Sequence, residues 1–155
     1  MESEMKGNKY YIIKVNLEYT LAWRKFIIPS GTTFRKLQDI LLIAFDWNGD
    51  HCSGFDMGPI RDREWLEDDE LDDTIVDGYF EKYKKIRFIY DYGDNWEHTI
   101  KPYKPRYKEE KLTIPICTEA KFIAPEEDCG WNVEIPNIEE VDIEEINSKI
   151  KKLYK

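Results

Sequence analysis

The stretch KIRFIYDYGDNWEHTIKPY, Lys85 to Tyr103, decides the fold class. Lys85 to Tyr90 is rich in branched and aromatic residues and reads as a strand. Asp91-Tyr92-Gly93-Asp94-Asn95 is a turn. Trp96 to Tyr103 returns as the partner strand, with Trp96, His98 and Ile100 on one side and Glu97 and Thr99 on the other. A hairpin this well marked places an antiparallel pair in the second half of the chain.

The pattern continues outward from it. In Tyr10 to Leu17, Tyr11, Ile13, Val15 and Leu17 alternate with Ile12, Lys14 and Asn16, which is the period of a strand. Trp23 to Ile28 is a second strand, ended by the Pro29-Ser30-Gly31 turn. Thr32 or Thr33 then caps a helix whose Phe34, Leu37, Leu41 and Ala44 share one face, with Ile40 beside them. Asn48-Gly49 ends it. Asp50 to Met57 reads as a strand weakened at Gly54, and Leu112 to Ile116 as another short one. Asp142 with Glu145 forms a capping-box pattern, and Ile143, Ile146, Ile150 and Leu153 follow at helical spacing.

The chain has 155 residues, the size of one domain, and no internal repeat or linker divides it. These elements predict an α+β fold: a single domain over 1–155, β-grasp-like, with a mixed sheet of about five strands, one helix on a face and a C-terminal helix. Hydrophobic residues make up 41%, enough for a core. No apolar run approaches the roughly 18 residues that would span a bilayer, and Met1 to Tyr11 lacks the apolar region of a signal peptide. Three cysteines, an odd number, fit a reducing, cytoplasmic setting.

The net charge of −9 is unevenly distributed. Residues 62–81 hold ten acidic residues and one basic, and residues 126–145 hold nine acidic and none basic. The remainder therefore carries +9. Like charges at this density stay hydrated, so Asp62 to Asp73 is expected to be a loop outside the core. The basic remainder, around Lys82 to Arg87 and Lys101 to Lys111, interleaves with Tyr83, Tyr103 and Tyr107, a composition suited to single-stranded nucleic acid.

Two clusters carry chemistry. Asp91, Tyr92, Asp94, Trp96, Glu97 and His98 put carboxylates and an imidazole within eight residues. That set suits a divalent metal or an acid–base pair. Alternation separates Glu97 from His98, and Asp91 and Asp94 could equally cap the turn through backbone N–H groups. The second cluster is Pro125-Glu126-Glu127-Asp128-Cys129-Gly130-Trp131. A thiol among three acids is disfavoured as a nucleophile, because the acids raise its pKa. No Cys-x-x-Cys pair marks a zinc site. Trp47 and His51 add an aromatic and an imidazole near the end of the first helix.

In this order the clusters resemble the plasmid pRiA4b ORF-3-like family. The resemblance runs from about Tyr10 to Leu153. It rests on Trp23-Arg24, the helix followed by Trp47, His51 with Phe55, the run Tyr90 to His98, Cys117, Pro125 to Gly130, and Asp142 to Asn147. It implies a small α+β protein of undefined activity, found on plasmids and other mobile elements as well as chromosomes. The chain departs from the family pattern at Gln38, Ser53 and Ala124, where potential metal ligands would stand, and at Trp131, where a glycine would. The resolvase label that some members carry finds no support in it: no serine nucleophile sits among arginines, and no separate basic helix reads DNA.

Three functions follow from the sequence. The first is a binding or interaction module, with no enzymatic activity and no cofactor. It would use a groove formed by Trp47, His51, Trp96 and His98 to hold a protein or a small ligand. The wider candidate surface for it is Trp47, His51, Asp91, Tyr92, Asp94, Trp96, Glu97, His98, Glu127, Asp128 and Cys129. The second is a metal-dependent enzyme in which Asp91, Asp94, His98, Glu127 and Asp128 converge. The third is a nucleic-acid accessory factor. If the Asp91–His98 turn and the acidic 125–130 loop meet, opposite charges are brought together there.

Overall fold

A computed structural model describes residues 7–126 and 138–155. Its frame is β1, Asn8–Leu17, whose alternating burial places Tyr11, Ile13, Val15 and Leu17 inside. β2, Trp23–Pro29, pairs antiparallel along one edge of β1. α1, Phe34–Ala44, begins at Thr33, whose hydroxyl accepts a hydrogen bond from the Lys36 N–H. An isolated helix of this length is marginal in water, but α1 buries Phe34, Leu37, Ile40, Leu41, Leu42 and Ala44. At about 1.5–3 kcal/mol for each large apolar side chain, that burial is what holds it.

The sheet continues with β3, Ser53–Met57; β4, Glu64–Leu66; β5, Ile86–Tyr90; β6, Trp96–Pro102; β7, Arg106–Lys108; and β8, Ile116–Lys121. The strand order is β4-β3-β5-β6-β1-β2-β8, and β7 pairs with the part of β1 that β6 leaves open. The remaining helices are α2, Glu70–Asp73; α3, Asp77–Lys82; and α4, Ile143–Leu153, which Asp142 caps through the Glu144 and Glu145 N–H groups.

Four expectations are corrected. Among the described residues the sheet has eight strands, not about five. It is antiparallel in every described pairing, not mixed, and so lacks the parallel pair of a β-grasp arrangement. The Asp62–Asp73 segment is not a plain loop. It carries β4 and α2, because Leu66 and Leu71 are buried and anchor the charged residues around them. The strand expected over 112–116 begins instead at Ile116. Pro115 has no N–H to give a ladder, and Cys117 seats opposite Phe26.

The described α-helices lie on one side. Phe34 of α1 meets Phe55 edge to face, and Phe80 of α3 does the same with Tyr11. Asn147 of α4 clamps Cys117 of β8, accepting from its N–H at 2.7 Å and donating to its carbonyl at 2.9 Å. Part of the first acidic tract sits on this side as well. Lys9 lies 3.0 Å from Glu81, Arg35 lies 2.9 Å from Asp72, and the Tyr11 hydroxyl donates to Glu81. The opposite face of the sheet carries no described helix. No described helix is long and apolar enough to cross a membrane.

Candidate functional site

The turn between β5 and β6 is built by Asp91. It holds a positive φ of 64°, and its Oδ1 accepts from the N–H groups of Gly93 at 3.0 Å and Asp94 at 3.2 Å. Short polar side chains tolerate this backbone region because they can bond locally. The Asp91 N–H donates to the Cys52 carbonyl, and Asp91 Oδ2 faces His51 Nδ1 at 3.6 Å. Tyr92 is exposed, and its hydroxyl donates to Glu67. Desolvation and that carboxylate raise its pKa.

His98 points the other way. It stands opposite Phe88 with an unbroken register, while Glu97 stands opposite Ile89 on the outer face. The ring is fully buried, with Phe45, Trp47 and Phe88 at centroid distances of 4.8, 5.2 and 5.1 Å. Its Nδ1 lies 3.1 Å from the carbonyl oxygens of both Phe88 and Trp96, so Nδ1 carries the proton and donates. Its Nε2 has no hydrogen-bond partner among the described residues. Desolvation depresses the pKa to about 4, against the smaller raising effect of the two carbonyls.

Trp47 stacks on Tyr90 at 5.3 Å and tilts against Trp96 at 5.5 Å, and all three are buried. The space expected as a groove between Trp47, Trp96 and His98 is thus filled by their own rings. His51, half-buried, meets this cluster at the edge of Tyr90, at 5.6 Å. Pro125 reaches this aromatic cluster through its backbone: the Trp47 indole, packed against Trp96 and His98, donates to the Pro125 carbonyl at 2.9 Å. Glu127, Asp128 and Cys129 lie outside the described residues. Of the other metal candidates, Asp91 and Asp94 lie in the turn and His98 in the core. No group of three or more potential ligands gathers among the described residues.

Arg24 is buried with no carboxylate partner among the described residues. Its Nε donates to Ala44 at the end of α1, and its Nη1 donates to the carbonyls of Trp23, Lys121 and Phe122. The guanidinium stacks 4.6 Å over the Phe45 ring. Burial lowers its pKa to about 10, so it stays charged. It sits beside a cavity of about 550 Å³ whose rim includes Asp46, Glu126, Glu140, Val141 and Lys149. Cys117 is buried, and desolvation pushes its thiol up to about 11, which makes it a packing residue. Cys52 is exposed.

The outer face of the sheet has a different composition. Lys14 stands directly opposite Lys25 on β2 and directly opposite Lys101 on β6. Three lysines therefore run across three adjacent strands, about 5 Å apart. Aromatic rings lie among them: Lys14 Nζ is 4.5 Å from the Trp23 ring, Lys25 is 5.7 Å from Tyr103, and Lys108 is 5.7 Å from Tyr10. Glu119 bridges Lys25 at 3.4 Å. Sequence reading flags Lys101 and Tyr103 as basic-aromatic surface but not Lys14 or Lys25, and Trp23 only as part of the family pattern. Each is an ordinary outward residue of its own strand, and only the β2-β1-β6 register aligns them.

A family model described as plasmid pRiA4b ORF-3-like protein matches residues 9–141. An uncharacterized protein, y4hQ of Sinorhizobium fredii, is 28% identical over 130 residues, covering 76% of this chain. The chain spans 65% of that relative's length. The crystal structure of a protein of unknown function, MM3350 from Methanosarcina mazei Go1, superposes with a TM-score of 0.76 at 22% identity, covering 91% of this chain and 98% of that one. That likeness concerns the fold.

Proposed function

The chain belongs to the plasmid pRiA4b ORF-3-like family, and from that premise we propose that it is a binding module without enzymatic activity, which presents the open face of its sheet to a polyanionic partner. The observation that carries the reading is the lysine row Lys25–Lys14–Lys101. Like charges placed directly opposite across strands are destabilising. A row of three is therefore a cost to the fold that an anionic partner relieves. On the helical side the cations Lys9 and Arg35 are met by Glu81 and Asp72, whereas in the lysine row Glu119 alone of the described carboxylates is in ion-pair contact, with Lys25.

The residues that suggested catalysis support the same reading. Asp91 builds a turn, and His98 and Trp96 build core. The plasmid in the family's description supports a role on mobile elements, and a cytoplasmic setting belongs to the same proposal.

The test is retention of the full chain on immobilised heparin, used as a sequence-neutral polyanion, across a salt gradient. Wild type is expected to bind at low ionic strength and elute with salt. The triple variant Lys14→Gln, Lys25→Gln, Lys101→Gln should elute much earlier. Equal elution of the two proteins, or no retention of wild type at low salt, overturns the reading.

A further inference from the structure

We infer that the partner of the open sheet face is single-stranded nucleic acid, held by its phosphates on the lysine row and by its bases on Trp23, Tyr103 and Tyr10. The inference rests on the polyanion reading above and names its ligand.

The argument starts from the pairing of cations with rings. On this face Lys14 lies beside Trp23, Lys25 beside Tyr103 and Lys108 beside Tyr10. A polyanion without bases, such as a sulfated sugar, uses only the cations. A single strand uses both, because each nucleotide offers a phosphate and an unpaired π-face. Tyr103 is 42% exposed, so its ring is free of the core. Trp23 and Tyr10 are half-buried and fixed by their strands, so little rotamer freedom is lost when a base stacks on them.

The charge pattern gives the track its limits. Tyr10, Lys14, Lys25, Lys101 and Tyr103 fall toward one end of the face, where Arg106 pairs opposite Tyr10 and adds a further cation, and Trp23 stands one row on, level with Asn16 and Thr99. Glu119 is the carboxylate in ion-pair contact with this row. Toward the other end of the sheet, Glu18 accepts from Thr99, Glu97 faces outward, and Asp56 is held by Arg63 and Arg87. The cations there are neutralised, so the strand is expected to follow the β2-β1-β6-β7 half.

Flat, open geometry favours a single strand over a duplex. Stacked base pairs hide the π-faces that these rings would meet, and among the described residues the face projects no helix or ribbon of its own into a groove.

The experiment uses the full chain with a fluorescein-labelled oligo-dT 15-mer, a duplex of the same length, and heparin. Anisotropy and intrinsic tryptophan fluorescence are read together. Wild type should bind the single strand more tightly than the duplex, with quenching of tryptophan emission. Tyr103→Ala and Trp23→Leu should each weaken oligo-dT binding roughly tenfold or more, while heparin elution stays unchanged. The lysine triple variant should reduce the salt slope for the single strand by about 2. Tyr103→Ala, an exposed change, keeps the test sound if Trp23→Leu fails to fold. If both ring variants bind oligo-dT like wild type, or the duplex binds as tightly as the strand, the single-strand inference falls and the polyanion reading stands. If the lysine variant also matches wild type on heparin, both fall.

Discussion

Trp47 donates its indole hydrogen to the Pro125 carbonyl at 2.9 Å, which ties the aromatic cluster behind α1 to the start of the acidic 125–130 loop. The donor and acceptor are 78 residues apart and the bond is buried. Trp47→Phe keeps most of the stacking on Tyr90 and leaves the carbonyl unsatisfied. The expected loss is about 1–3 kcal/mol in urea unfolding. A variant as stable as wild type would show that the carbonyl finds another donor.

His98 makes stability depend on pH. Its folded pKa, about 4, lies below the unfolded value of about 6.5. The neutral ring is therefore the one that the fold accepts. Its contribution is fully present above pH 6.5 and is lost as pH falls from there toward 4, because the unfolded chain takes up a proton that the native one refuses. The loss is on the order of 3 kcal/mol across that window. His98→Gln should flatten this segment of the stability–pH curve, whatever its absolute stability. A wild-type curve that is flat between pH 6.5 and 4 contradicts the assignment.

These two residues show what the sequence could reveal. Alternation of Trp96, His98 and Ile100 already placed the histidine on an apolar side, so its burial was legible from strand period alone. The hairpin, α1 and α4 were legible for the same reason: one apolar face, clear caps, clear turns. β4, α2 and α3 were not, since Leu66, Leu71 and Phe80 are isolated apolar anchors in a stretch dominated by carboxylates. The lysine row was not legible either. It exists only through the non-local pairing of β1 with β2 and with β6, and no local pattern encodes a register.

Arg24 holds the end of α1 to the sheet by donating to Ala44 while also donating to Lys121 and Phe122. Lysine keeps the charge but not the planar fork that reaches carbonyls in several directions. Arg24→Lys should destabilise by about 3 kcal/mol, the scale of hydrogen bonds lost by a buried charge. Chemical denaturation measures it. A loss under about 0.5 kcal/mol, the range of ordinary surface changes, would mean that the fork contributes little.

Gly54 exists for Trp65. A Cβ added at Gly54 would press into the Trp65 ring, which crosses the outer face of β3. Gly54→Ala should cost about 1–3 kcal/mol from overpacking. In a Trp65→Ala background the same change should cost little, giving a coupling energy of comparable size in a double-mutant cycle. Additive effects would place the cost of Gly54→Ala in the backbone and not in the ring.

Lys14 separates stability from binding most directly. It faces Lys25 and Lys101 across β1's two edges. Lys14→Glu turns two repulsive cross-strand pairs into two attractive ones, each worth roughly 0.2–1 kcal/mol. It also gives up the contact with the Trp23 ring, worth about 0.5–1 kcal/mol at an exposed site. The electrostatic gain has two pairs behind it and the loss one contact, so at low ionic strength the variant should melt slightly higher than wild type. The advantage should shrink as salt screens the pairs. The same variant should lose retention on heparin. A Lys14→Glu protein that is less stable than wild type at low salt would mean that the lysine row is held by the fold's own contacts, and the argument that it awaits an anion would lose its energetic basis.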